Sequence, residues 1–527
     1  MSEASGGAGR GRAESSRFGP VAALLAASIL LSRVLGYARD LLLAHLEGVG
    51  ANVDAYFIAF LLPDLLNYLL AGGALAIAFI PFYTRVLEER GDEAAGRLFS
   101  TVLGTSGLVV LLATALLFVL APTLIESQLT GFDETTRELT LRLTRIVLPA
   151  QIFFVTGGIL RAVLMAHGRF REQAAAPLLY NGSIIVGGLL GGGVEGFAWG
   201  VLVGAALGNW ALPLWGLLRV RPVRLRLAFW DADLGRYLWL AAPLMLGVSL
   251  TTVDEWYEKY LGAALATGSV AALGFARKLF MVPVGVIGQA LGAAALPILS
   301  RLWSSGRGAE LDDVLERALR VSVGLGLITG AGLFALADPI VEVLYQHGSF
   351  DAEAAQLVAR LLGWMSLATP AWVLQQVAVR AFYAREDTWR PMLLGTGIAL
   401  AVIPLYLALR ASHGVEGLAI AGVVAMSVNS LATVVWARVR HGGPRLAPLL
   451  DAGWRGVAVA APAGLAAAWL RPGGGDWTQS AIELAAGGGV FVVVAGVSLL
   501  VLGDPALRDL LRARIRRTPA AGAGPAE

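Results

Sequence analysis

The chain contains no cysteine in 527 residues. That excludes a disulfide, a thiolate metal site and a cysteine nucleophile. Lysine is almost as scarce: of 41 basic residues only Lys259 and Lys278 are lysines, so arginine at any one position carries little meaning by itself. The five histidines (45, 167, 347, 413 and 441) fall at loops or helix ends, none at metal-ligand spacing. No Walker motif is present, so the chain carries no site for ATP hydrolysis. Only 15% of residues are charged, and no loop is long enough to form an extramembrane domain. A membrane-embedded glycosyl polymerase or ligase would want an acidic or histidine pair in a sizeable outer loop. The longest outer stretch offers only Glu126, Asp133 and Glu134. No catalytic residue, cofactor or metal is therefore expected. The formal charge of +3 averages very uneven segments and gives no reason to expect nucleic acid.

What is present is apolar. The chain is 57% hydrophobic with mean hydropathy +0.69, which places it among polytopic membrane proteins. Its pattern is all-α, with about fourteen spans: 18–45, 54–86, 98–122, 138–166, 174–192, 195–218, 236–262, 268–300, 314–345, 355–384, 391–410, 415–438, 449–470 and 481–502. The connections alternate in charge. Segments such as RVLEERGDEAAGR, HGRFRE and ARVRHGGPR carry arginine, whereas HLEGVGANVD, ESQLTGFDETT and SHGVEG carry neither arginine nor lysine. By the positive-inside rule both termini, 1–17 and 503–527, are cytoplasmic tails and the span number is even. The polar, basic start has no cleavage motif after the first apolar run and reads as a tail, not a signal peptide.

The chain also repeats itself. GGALAIAFIPFYTR at 72–85 matches GQALGAAALPILSR at 288–301, with six identities in fourteen at an offset of 216. Phe132-Asp133 returns as Phe350-Asp351, Arg142 as Arg360, Arg161-Ala162 as Arg380-Ala381, and GVEGFA at 193–198 as GVEGLA at 414–419. Two lobes follow, 18–218 and 236–438, each of six helices. An even number of spans per repeat makes them parallel, related by an axis along the membrane normal. Transporters built from repeats place their substrate sites between them. The last two helices, 449–502, have no counterpart and are appended.

Ionisable residues inside the apolar runs gather in the first two helices of each repeat. They are Arg33, Arg39, Asp40, Asp54 and Asp64, then Asp254, Glu255, Lys259, Arg277 and Lys278. An arginine at the centre of an isolated membrane helix costs about 2.5 kcal/mol or more, so such residues face protein or a water-filled cavity. Glu255 and Lys259 are four apart and can pair along one helix. Arg161 and Arg380 lie within two turns of cytoplasmic ends and can snorkel. The remainder has an excess of cations from helices one and eight. Such a cavity suits an anionic head group, with guanidinium forks matched to phosphate oxygens.

The stretches SRVLGYARD (32–40), DAYFIAFLLPDLLNYLLAGGALAIAFIP from Asp54, RKLFMVPVGVIGQALGAAALPILSR, LYQHGSFDAEA and RAFYAREDTWRP resemble the bacterial lipid II flippases of the MurJ/MviN type. These belong to the multidrug/oligosaccharidyl-lipid/polysaccharide exporter superfamily, and the resemblance covers nearly the whole chain. It implies two six-helix lobes around a cationic cavity, with 449–502 forming a groove for a polyprenyl tail. The lobes would rock to carry an undecaprenyl-pyrophosphate-linked glycan across the bacterial inner membrane. The implied partners are that lipid-linked glycan, membrane lipids and other cell-wall synthesis proteins. Ser32, Arg33, Arg39 and Asp40 match the first-helix motif, and Lys278 the cationic position of helix eight. Arg277 stands where an acidic or amide residue is common. Asn67 replaces a usual arginine and Gly72 a usual glutamate. The positive charge is thus expected to shift toward the second repeat, by way of Arg277. Some members draw a sodium site from helices seven and eleven. Asp254 is the candidate helix-seven ligand, but helix eleven offers no carboxylate or amide. The alternatives are a flippase for another undecaprenyl-linked oligosaccharide and a non-transporting scaffold for envelope synthesis.

Overall fold

The computed structural model describes residues 6–70, 74–246, 250–470 and 477–509. Residues 1–5, 71–73 (with Gly72), 247–249, 471–476 and 510–527 lie outside the described residues. In a bilayer every backbone N–H and C=O must be satisfied within the chain, and for a chain of apolar runs that means helices. Helices account for nearly all of the described residues.

The first ten are α1 (Gly6–Glu47), α2 (Ala51–Ala59), α3 (Leu61–Leu70), α4 (Ala74–Gln128), α5 (Glu134–Val147), α6 (Ala150–Ala166), α7 (Arg171–Leu190), α8 (Val194–Gly204), α9 (Leu212–Leu218) and α10 (Ala232–Leu246). A π-helical turn, Ala205–Ala211, joins α8 to α9. The rest are α11 (Leu250–Gly262), α12 (Ser269–Pro283), α13 (Gln289–Ser304), α14 (Gly308–Ala335), α15 (Ala337–Tyr345), α16 (Ala352–Ser366), α17 (Thr369–Ala378), α18 (Arg380–Tyr383), α19 (Trp389–Ala401), α20 (Ile403–His441), α21 (Leu446–Trp469) and α22 (Trp477–Leu502).

Among the described residues nine helices are long and apolar enough to cross a membrane, or ten if the pair Ala352–Ser366 and Thr369–Tyr383, bent by 44°, counts as one span. Fourteen were expected from the sequence. Part of the difference is geometric. Two of the nine, Phe79–Gln128 and Trp389–His441, run to 50 and 53 residues. A straight helix of that length would measure roughly 75 Å at 1.5 Å per residue, against a hydrocarbon core of roughly 30 Å. Each is broken by a glycine, Gly91 at φ 79° and Gly414 at φ 57°. Only glycine adopts such φ values readily, so a one-residue corner replaces the expected loop. Large apolar side chains such as Leu190, Val119 and Trp239, at 82%, 72% and 83% exposure, point outward from the protein. On a chain this hydrophobic that surface belongs in lipid.

The helices gather into two compact units, one with α1–α10 and the other with α11–α22. The stretch read as helix seven, 236–262, is divided between them. In the first unit Tyr237 of α10 is fully buried and packs edge-on against Phe79 of α4, ring centroids 5.5 Å apart.

Matching features recur in the two units. Asp133 caps α5 by accepting from the Thr136 N–H, and Asp351 caps α16 by accepting from the Ala354 N–H. Gly193 and Gly414, which open the two GVEG motifs, both have positive φ. Arg142 pairs with Glu195 at 3.2 Å, and Arg360 with Glu416 at 3.1 Å.

In the second unit one face of α14 carries three ion pairs at successive turns. Asp312 holds Arg385 at 2.7 Å, Glu316 holds Arg445 at 2.9 Å, and Arg320 holds Asp504 at 2.7 Å. Arg445 precedes α21 and Asp504 follows α22, so these pairs pin the appended helices. Asp504 is only 2% exposed. Arg320→Ala would leave it buried without its cation, a loss of about 3–5 kcal/mol for such a pair. The melting midpoint in detergent should fall by several degrees, and an unchanged midpoint would show that the pair does not hold α22.

Candidate functional site

The Ser32–Asp40 stretch lies on α1, whose neighbour in the first unit is α7. Ser28 Oγ donates to the Ala174 carbonyl, which fixes the register of the two helices. About two turns further along α7, Asn181 organises the motif. Its Nδ2 donates to the Ser32 carbonyl at 3.4 Å, to Ser32 Oγ at 3.3 Å and to the Pro177 carbonyl of its own helix at 3.1 Å. Its Oδ1 accepts from Arg39 Nη1 at 3.3 Å. Arg39 also donates to Asp40 Oδ1 from Nε at 3.0 Å and Nη2 at 2.9 Å. Asp40 and Asn181 are buried, while the Arg39 side chain keeps 26% exposure. A desolvated guanidinium is tolerable because a carboxylate balances its charge and an amide orients it. Ser32, Arg39 and Asp40 therefore form one network. Arg33 is exposed and outside the hydrogen bonds just described. Asn67 is half-buried on α3, outside the hydrogen bonds just described.

The second unit collects the remaining expected residues. Arg277 of α12 is buried, and its Nε donates to Glu258 Oε2 at 2.7 Å. Its Nη2 lies 2.6 Å from Glu258 Oε1 and also donates to Asp254 Oδ2. The Tyr406 hydroxyl of α20 donates to the other Asp254 oxygen, Oδ1. Beside this cluster Lys259 pairs with Glu255 at 2.8 Å. Lys278 is half-buried, with its ammonium 5.7 Å from the Phe275 ring centre. The structure thus gives Arg277 a different part from the one the sequence suggested. Its guanidinium is met within its own unit by two carboxylates on α11, Glu258 and Asp254.

A cavity of about 1110 Å³ opens between α14, α16, α17 and α21. Its walls are apolar, from Phe334, Leu367, Pro370, Val457 and Leu465, and it includes the bend between α16 and α17. Its lining also holds Asp338, Arg360, Trp364 and Glu416, and Trp364 Nε1 donates to Glu416 at 3.1 Å. Of the appended helices α21 lines this cavity; none of its lining residues comes from α22.

Three residues that sequence reasoning passed over stand at these sites: Asn181, Glu258 and Tyr406. Asn181 had a signal, a lone amide in the apolar run PLLYNGSIIV. Glu258 sits four residues after Asp254, on the same helical face, but the adjacent Lys259 drew attention to Glu255. Tyr406 lies in the stretch read as helix eleven, which has no carboxylate or amide but offers this phenol hydroxyl.

The family model described as "Lipid II flippase MurJ" matches residues 43–471. The chain is 31% identical over 417 residues to a "Probable lipid II flippase MurJ" of Rhizobium tropici, covering 76% of this chain and 77% of that protein. It is 30% identical over 438 residues to a protein of the same description from Bdellovibrio bacteriovorus, covering 81% and 83%. Among solved structures, "Lipid II flippase MurJ, inward closed conformation" superposes with a TM-score of 0.75 at 21% identity, over 93% of this chain and 100% of that one. An inward-facing multidrug resistance MATE transporter of the MOP superfamily superposes with a TM-score of 0.67 at 16% identity, over 78% and 94%.

Proposed function

The chain belongs to the MurJ family of lipid II flippases, and from that premise we propose that it carries lipid II across the bacterial inner membrane by alternating access. It is a multi-pass transporter and not an enzyme. In this reading the lobes 18–218 and 236–438, parallel repeats of six helices each, move against one another. Both termini lie in the cytoplasm, and about fourteen crossings are completed by two appended helices. The pyrophosphate is met by Arg33, Arg39 and Lys278, with Ser32 and Asp40 setting the Arg39 geometry and Asn67 lining the first-lobe side. The observation that carries the reading is the Arg39 network, a charged motif within an apolar helix, held by designated partners and left partly open. The cavity against α21 supports a place for the polyprenyl chain, since its walls are apolar and its polar groups sit together. Membrane lipids and other cell-wall synthesis proteins complete the partners.

The test is growth of a bacterium depleted of its own lipid II flippase. The unmodified chain should restore growth. Rescue that required Asn67→Arg with Gly72→Glu would point instead to another undecaprenyl-linked glycan.

A further inference from the structure

Asp254 was singled out as a candidate ligand for a coupling ion, and its surroundings allow that to be tested. A hard metal cation needs several oxygen atoms converging on a vacant centre. Around Asp254 the oxygens converge on Arg277. Both oxygens of Glu258 face its guanidinium, one at 2.7 Å from Nε and the other at 2.6 Å from Nη2. One oxygen of Asp254 faces the same Nη2, and the other accepts from Tyr406. All four carboxylate oxygens are therefore engaged by protein donors. Space is short as well: a methyl group added at Gly422 of α20 would lie 3.0 Å from Asp254 Oδ1. Among the described residues no group of three or more His, Asp or Glu side chains is arranged to hold a metal ion.

We infer that the guanidinium of Arg277 is a tethered cation occupying the Asp254–Glu258–Tyr406 site, so that this lobe neither binds nor requires sodium. A guanidinium fixed to α12 cannot leave. The site keeps its positive charge whatever the conformation of the transporter, and it joins α11, α12 and α20 as one body. A fork with two parallel donors also suits a carboxylate such as Glu258 better than a spherical ion would. The charged neighbours, Glu255 with Lys259 on α11 and Lys278 on α12, form a second group beside it. The inference rests on the transporter reading only for its consequence for coupling; occupancy of the site is a property of the protein alone.

The experiment is therefore a stability measurement that needs no lipid II. The purified unmodified chain is melted in sodium chloride and in choline chloride at equal ionic strength. Its midpoint should be the same in both, whereas a saturable stabilisation specific to sodium would overturn the inference. Arg277→Ala leaves two buried carboxylates facing an empty space. It should melt lower and gain a saturable stabilisation from millimolar guanidinium ion or from sodium, beyond any seen with the unmodified chain. Absence of that gain would overturn the assignment of a cation site. Should Arg277→Ala fail to fold, Arg277→Lys supplies a charge without the fork, and it should melt between the unmodified chain and Arg277→Gln. In liposomes, exchanging sodium for choline should change translocation by the unmodified chain less than about twofold. Loss of translocation in choline would overturn the consequence drawn for coupling, that transport proceeds without sodium, while an unchanged melting midpoint would leave Arg277 as the occupant of this site.

Discussion

Arg39→Ala lowers lipid II translocation about tenfold or more, and Asn181→Ala does comparable damage only while Arg39 is present. Hydrogen bonds to charged groups contribute about 1.5–3 kcal/mol each, and about 1.4 kcal/mol is a factor of ten in affinity. Arg39 has orienting partners on both edges of its guanidinium, Asp40 on one and Asn181 on the other. If Asn181 acts by aiming Arg39, the double variant should be no worse than Arg39→Ala alone. Such non-additivity is what a double-mutant cycle measures for residues in one network. Asn181→Asp keeps the acceptor for Arg39 and loses the donors to Ser32, so it should retain more activity than Asn181→Leu. Strictly additive losses in the double variant would place Asn181 among merely structural residues. Arg33→Ala and Lys278→Ala should each cause a loss of similar size, with normal expression and melting. If all three cation variants translocate lipid II normally, these residues do not meet the pyrophosphate.

The second large effect is one of packing. Without a hydrophobic drive between helices in lipid, close association depends on small residues that let backbones touch. Gly196, Gly200, Gly204 and Gly208 recur every four residues along α8 and the π-helical turn, and all four face α7. An added methyl at Gly200 would lie 2.6 Å from Ile184 Cα, at Gly204 2.8 Å from the Tyr180 carbonyl oxygen, and at Gly208 2.7 Å from that of Ala176. These neighbours are backbone and cannot rotate away. Overpacking a well-fitted interface costs about 1–3 kcal/mol even where side chains can move. Gly200→Ala should therefore lower the melting midpoint clearly, and Gly200→Leu should abolish folded protein. Gly182 of α7 supplies the control, because a methyl there meets nothing within 4 Å. Gly182→Ala should be neutral or mildly stabilising. The same glycine ladder holds α7, and with it Asn181, so a mild Gly200 variant that still folds should also translocate more slowly.

How far the sequence foretold this arrangement depended on the range of the interaction. The Ser32–Asp40 motif was legible because a membrane helix makes every internal charge conspicuous. The internal repeat was legible because its matches keep their order, and recurring caps, glycine corners and Arg–Glu pairs now accompany it. Asn181 stood out as a lone amide in an apolar run, but its partner did not, since nothing local announces that this amide will meet a motif 142 positions earlier. The partners of Arg277 were hidden for the same reason. Beside Lys278 it read as added positive charge, yet its two carboxylates lie 19 and 23 residues away, on the preceding helix. The count of crossings was hard to compare with the count of helices because Gly91 and Gly414 each turn the chain from one helix directly into the next, with no loop between them.

The central claim is that this chain moves lipid II by means of a cationic site built on α1. It is tested most directly by reconstituting the purified protein in liposomes loaded with lipid II on one leaflet and following its appearance on the other. The unmodified chain should translocate lipid II, and Arg39→Ala, folded and inserted to the same extent, should be slower by about tenfold or more. Equal rates for the two proteins, or no translocation by a correctly inserted unmodified chain, would contradict it.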